Sequence, residues 1–136
     1  MAEIQDLAVL DANNTARFGE GQLIPSINDG GRALEGMIAR WFKDTNGSIA
    51  SSGTSTAFAI LTNRTIAAHA AGLTFRFRAT VANNGATTIT INALAAKPLK
   101  RANGDALVTG DIVVNQIVDI TYNSTTDAYV CLGIAA

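Results

Sequence analysis

Residues 73–81, LTFRFRATV, alternate without a break: Leu73, Phe75, Phe77, Ala79 and Val81 take every second position, with Thr74, Arg76, Arg78 and Thr80 between them. Period two puts successive side chains on opposite faces of an extended chain, so this run predicts a strand with one dry and one wet face. The same period returns in TTITINAL (87–94), with Ile89 and Ile91 inward, and TAFAIL (56–61) reads as a further strand. ANNGAT (82–87) sets Asn-Gly between two of these runs, which predicts a hairpin of 73–81 with 87–94. DIVVNQIVDITY (111–122) and AYVCLGI (128–134) predict a second hairpin around NSTTD. KPLKR (97–101) reads as a short edge strand, because Pro98 cannot donate to a ladder. Short strands at this spacing predict a small antiparallel β-sandwich or barrel over residues 47–136. No fixed-period repeat is present.

Ahead of the strands the period changes. In PSINDGGRALEGMIARWFKD (25–44), Ile27, Leu34, Met37, Ile38, Trp41 and Phe42 recur at three- and four-residue spacing, which predicts one amphipathic helix over 25–46. Ser26, with Asp29 three residues on, reads as its N-cap, and Asn46-Gly47 ends it. Gly30 and Gly31 each cost about 1 kcal/mol relative to alanine inside a helix. Close approach of another backbone would offset that cost. Gly30, Gly31, Leu34, Met37, Ile38, Trp41 and Phe42 are therefore the candidate oligomer interface; the alternative is a helix that packs only on its own sheet.

Residues 1–24 read as an extended arm. Ile4, Leu7, Val9 and Leu10 suit a short strand, DANN supplies turn chemistry, and glycines flank Glu20. This is too little apolar surface for a core, so the arm is either loosely held or orders against another protein. Ile4, Leu7, Val9, Leu10 and Phe18 are its candidate docking residues.

Charged residues make up 15% of the chain, against about 25% in ordinary domains. The hydrophobic share of 48% leans on alanine, so large apolar side chains are few and partner subunits would help complete the core. The formal net charge of −1 provides no field to draw in nucleic acid or membrane. A single cysteine, Cys131, excludes an internal disulfide. The acidic start lacks a signal peptide's basic region, and no run approaches a membrane span, so synthesis in a cytoplasm is expected. The N-x-[ST] triplets at Asn13, Asn46, Asn63 and Asn123 then read as ordinary polar loops.

Catalytic constellations are scarce. His69 is the only histidine and sits in an alanine-rich run, without the partners of a triad or metal site. Cys131 alternates with apolar neighbours and reads as a buried, inert thiol. Asp105, Asp111, Asp119 and Asp127 fall mostly at turns and strand ends rather than in a recognisable pair. Arg76 with Arg78, and Lys97, Lys100 and Arg101, read as solvated gatekeeper charges rather than anion sites. The expectation is a non-enzyme with no metal and no cofactor.

One combination of motifs goes further. NTARFGEGQLIPSINDGGRALEGMIARWFKDTNGS (14–48) resembles the N-terminal region of bacteriophage tail fibre and tail appendage proteins. There an EGQ…PS…ND segment leads into a helix rich in Ala, Arg, Met and Trp. The match falls on Glu20, Gly21, Gln22, Pro25, Ser26, Asn28, Asp29, Arg32, Ala33, Met37, Arg40 and Trp41. GTSTAFAILTN, GLTFRFRAT, GATTITINALAAKPLKR and QIVDITYNSTTDAYVCLGI resemble fibre modules in the same order. The chain departs from that pattern at Asn115-Gln116 and at Ala93-Leu94-Ala95. The resemblance implies a virion structural protein: a short tail fibre or fibre adaptor, homotrimeric, docked on tail or neck proteins by its N-terminal region. Its β-domain would project for host attachment, with host cell-surface glycan as a partner. Assembly in the host bacterial cytoplasm, without nucleic acid or membrane insertion, goes with it. The alternatives are a carbohydrate-binding module and a capsid decoration or head fibre protein. Exposed aromatic platforms are scarce, which weakens the lectin alternative.

Overall fold

The computed structural model describes residues 3–8 and 21–134. Over these described residues the protein is mainly β, with one α-helix and eight strands in a single, nearly closed sheet. After a 3-10 turn at Ile4–Asp6 come α1 (Ile24–Thr45), β1 (Ile49–Ala50), β2 (Ser52–Thr54), β3 (Ala57–Ile60) and β4 (Thr74–Arg78). β5 (Thr87–Ile91), β6 (Lys97–Lys100), β7 (Ile117–Asn123) and β8 (Ala128–Leu132) follow.

The strand order is β1-β4-β7-β8-β6-β5-β3-β2. Its two ends, β1 and β2, are separated in the chain by Ser51 alone, so one short segment carries both edges and nearly closes the sheet. Ser51 secures that junction: its N–H donates to the Arg78 carbonyl at 2.9 Å, and its hydroxyl lies 3.2 Å from that of Thr80. The β2–β3 hairpin requires Gly53 (φ +92°), because a Cβ there would run into the Ala57 carbonyl oxygen.

The alternation in 73–81 becomes the barrel's inner wall. Phe75, Phe77 and Ala79 are fully buried, joined by Phe58, Ile60, Ile89, Ile91, Leu99, Val118, Ile120, Tyr129 and Cys131. Phe58 meets Phe77 edge-on, with ring centroids 6.2 Å apart.

Several local expectations are corrected. β4 and β5 form no hairpin: β4 lies between β1 and β7, and β5 between β3 and β6. Asn83 explains why. Its side-chain oxygen accepts the Ile112 N–H at 2.8 Å, its amide donates to the Gly85 and Val108 carbonyls, and its backbone N–H donates to Ile112. The Asn84 N–H donates to the Ser55 carbonyl at 2.9 Å, which leads the chain across to β3 instead of back along β4. Within the sheet, β1–β4, β3–β5 and β6–β8 are parallel, while β2–β3, β4–β7, β5–β6 and β7–β8 are antiparallel.

β6 is interior, not an edge. Thr88, opposite Pro98, spends its N–H on Thr56 on the β3 side. The Pro98 nitrogen therefore faces β8, where pairing begins only at Leu99. The missing donor is wanted by neither ladder.

Residues 111–116 are not strand. Asp111 is held by Arg101 and the Val108 N–H, and Asn115 sits at φ +68°. The hairpin of β7 with β8 forms as expected, with Tyr122 opposite Tyr129. In the helix, Leu23 rather than Ser26 is the N-cap, with Pro25 inside the first turn. The Ser26 hydroxyl donates back to the Leu23 carbonyl at 2.7 Å, and Asp29 pairs with Arg32. At the far end Asn46 is the C-cap and Gly47 adopts φ +85°. Residues 4–6 are a 3-10 turn, not a strand, because Glu3 and Asp6 close a capping box around them.

Candidate functional site

α1 turns one line of residues to its own domain and another to solvent. Gly30, Met37 and Asp44 are buried and lie seven residues apart, so they stack along one side of the helix. Met37 is 0% exposed. Beside that line, the Arg40 Nε sits 3.0 Å from both carboxylate oxygens of Glu3, itself buried. Glu3 also accepts the Thr65 N–H, and the Gln5 amide donates to the Thr65 carbonyl at 3.3 Å.

Asp44 anchors the end of the helix. One carboxylate oxygen accepts the Asn63 N–H (2.7 Å) and side-chain amide (2.9 Å). The other accepts the Arg64 N–H (3.2 Å) and Nε (2.8 Å). Arg64 then donates to the Thr74 carbonyl at the start of β4, to Gln5, and covers the Phe75 ring with its guanidinium 5.2 Å from the centroid. Five groups satisfy two buried charges, so helix, N-terminal turn, the loop over 61–66 and the barrel are fixed to one another. Neither pair figured in the sequence reading. A signal was there: an acid in a helix's last turn opposes the dipole and needs a dedicated partner.

Next to that buried line, round the same helix, an apolar strip is open. Ile24 is 83% exposed and Phe42 59%; Leu23, Ile27, Ile38 and Trp41 are exposed too, with Gly31 and Leu34 half-buried. A Cβ added at Gly31 would meet nothing within 4 Å. Of the seven interface candidates, the structure turns Gly30 and Met37 inward, because their line faces the domain. Gly31, Leu34, Ile38, Trp41 and Phe42 stay on the outward side. Of the docking candidates, Ile4 is half-buried and Leu7 exposed beside the Glu3–Arg40 clamp. Val9, Leu10 and Phe18 lie outside the described residues.

The chemistry-bearing side chains are engaged elsewhere. His69 Nε2 lies 2.9 Å from the Ala95 carbonyl and so donates to it; Nδ1 lies 3.1 Å from the Tyr129 hydroxyl. The imidazole stacks on Tyr122 with centroids 5.4 Å apart. Tyr122 in turn donates to Asp127, which pairs with Lys97. Lys97 first, then Tyr122, hold the Asp127 carboxyl below its ordinary range; the same hydrogen bond, aided by burial, pushes Tyr122 up. Burial also raises Tyr129. These aromatic and polar contacts join the loop before β4, the turn at Ala95 and the β7–β8 hairpin.

Asp111 is bound bidentately by Arg101 at 2.7 and 2.8 Å. Those bonds, against burial, hold its carboxyl low. Asp119 pairs with Arg76 on the outer sheet face, Arg78 donates to Asn115, and Asp105 closes a small turn with Asn103. Cys131 is fully buried, and burial pushes its thiol up to about 12. Among the described residues no group of three or more His, Cys, Asp or Glu could hold a metal ion, and no helix is long and apolar enough to cross a membrane.

Compared with known proteins, the chain matches no family model and no curated protein.

Proposed function

We propose that this chain is a structural component of a bacteriophage virion, a short tail fibre or fibre adaptor. In this reading the N-terminal region docks on tail or neck proteins and the barrel projects outward, available for host attachment. The observation that carries the reading is α1: a helix anchored to its own domain by the buried Asp44–Arg64 pair and the partly exposed Arg40–Glu3 pair, with an apolar strip left open beside them. Contiguous exposed apolar surface on an otherwise well-packed domain marks an interaction site. The resemblance of residues 14–48 to fibre N-terminal regions supplies the kind of assembly. In the same reading the chain performs no chemistry. Its carboxylates at 105, 111, 119 and 127 are each committed to a partner within the fold, which supports a connector over a hydrolase.

Deletion tests the docking role. Removing residues 9–20 takes away none of the described residues of the Glu3 clamp or the barrel. The truncated chain is expected to fold, with unchanged near-ultraviolet circular dichroism from Tyr122 and Tyr129, and to be missing from purified particles. Normal occupancy of that variant in particles would remove the arm as the anchor.

A further inference from the structure

The chain holds three Asn-Gly pairs: Asn46-Gly47, Asn84-Gly85 and Asn103-Gly104. In such a pair the glycine nitrogen can attack the asparagine side-chain amide, because no Cβ on the glycine hinders close approach. The fold treats the three differently. Asn103 is locked. Its amide nitrogen donates to the Asp105 carboxylate at 2.7 Å, its oxygen accepts the Asp105 N–H at 3.1 Å, and the Gly104 N–H is spent on the Arg101 carbonyl at 2.9 Å. The Asp105 charge also opposes the negative charge that the attack builds. Asn46, the C-cap of α1, has ψ −1°. The Gly47 nitrogen therefore eclipses the backbone nitrogen of Asn46 instead of lying beside its Cβ, where a five-membered ring could close. The Asn46 side-chain oxygen is tied to the Ser48 N–H at 2.9 Å as well.

Asn84 is free of these locks. It is exposed, and its side-chain oxygen accepts the Thr109 hydroxyl at 3.0 Å. Its amide nitrogen and the Gly85 N–H have no hydrogen-bond partner among the described residues. Nucleophile and leaving group are thus uncommitted, and the carbonyl between them is polarised by a donor. We propose that Asn84 is a self-modification site, with water as the only co-reactant. The Gly85 nitrogen loses its proton to hydroxide and bonds to the Asn84 Cγ, and the C=O electron pair moves onto the oxygen that Thr109 holds. The bond from Cγ to the side-chain nitrogen then breaks, and ammonia leaves with a proton from water. The cyclic imide left behind opens when water adds to either of its carbonyls, giving aspartate or isoaspartate at residue 84. Either product puts a carboxylate where there was none. Isoaspartate also lengthens the backbone between residues 84 and 85 by one carbon. The Gly85 carbonyl there is held by Asn83 and Thr87, and the Asn84 N–H by Ser55. The modified loop therefore loosens from the β2–β3 turn.

The test incubates the full chain in mildly alkaline buffer. Peptide mapping by mass spectrometry reads each site separately, since the product is heavier by the difference between OH and NH2. In the folded chain Asn84 is expected to convert several-fold faster than Asn46 or Asn103, at a rate that rises in proportion to hydroxide. In denaturant that preference is expected to vanish, because each site is then an Asn-Gly pair in an open chain. Thr109→Val, at an exposed position, is expected to slow conversion at residue 84 several-fold and to leave the other two sites unchanged. Conversion at Asn46 or Asn103 as fast as at Asn84 in the folded chain overturns the proposal. So does an Asn84 that stays intact while the denatured chain converts, or a preference that persists in denaturant. An unchanged rate in Thr109→Val overturns the role given to that hydroxyl. These results are read on the free chain, so they stand whether or not the deletion of residues 9–20 affects particles.

Discussion

Asp44 is an acid in the last turn of a helix, where exposed carbonyls already concentrate negative charge. Fully buried, it is stable there only because Arg64 and Asn63 meet all its oxygen sites. Asp44→Ala leaves the Arg64 charge buried and is expected to lower unfolding free energy by about 3–5 kcal/mol. Chemical denaturation at pH 7 measures it. Replacing exposed Asp29, whose partner Arg32 is also exposed, should change stability by less than about 1 kcal/mol. Asp111 adds a pH dependence. Its folded carboxyl is held low, chiefly by Arg101, so the stability it contributes is present above the unfolded carboxylate value of about 3.9. That contribution is lost as pH falls through the folded value. The denaturation midpoint should drop between pH 5 and pH 2, and Arg101→Gln should flatten that drop while lowering stability at neutral pH.

At the scale of elements, strand faces were readable and strand partners were not. Phe75, Phe77, Ile89 and Ile91 face inward as the period-two pattern requires, since alternation is a local property of the chain. Pairing is set by where loops carry the chain, and there long-range hydrogen bonds decide. Asn83 looked like a turn residue and is one, but its side chain serves the loop at 108–112, twenty-five and more residues away. Asn83→Ala would strand the buried Ile112 N–H and is expected to cost about 1–3 kcal/mol. It should also loosen residues 108–112 first, seen as faster amide exchange there than in β7. The helix was legible in extent to within a residue or two, 25–46 against Ile24–Thr45. What its sequence did not disclose is that it carries two separate lines, because Met37 and Ile38 are adjacent in the same stripe. Only the barrel's position shows which of them it covers.

For the whole molecule, the described fold is a well-satisfied barrel beside a helix with an open apolar strip. Its core is aromatic and β-branched, its buried charges are paired, and its surface carboxylates are engaged. The single chain leaves the apolar face of α1 open, and the fibre reading, homotrimeric by resemblance, has other copies cover it. Trp41 is the chain's only tryptophan and stands on that face, 43% exposed in the single chain. Its emission therefore reports that face directly, with no label and no substitution. In a dilution series of the full chain from tens of micromolar downward, the account predicts blue-shifted emission at high concentration. That emission should move red on dilution, in step with the loss of native mass. Emission of a water-exposed indole at every concentration, in a chain that stays at 14.1 kDa, would contradict it.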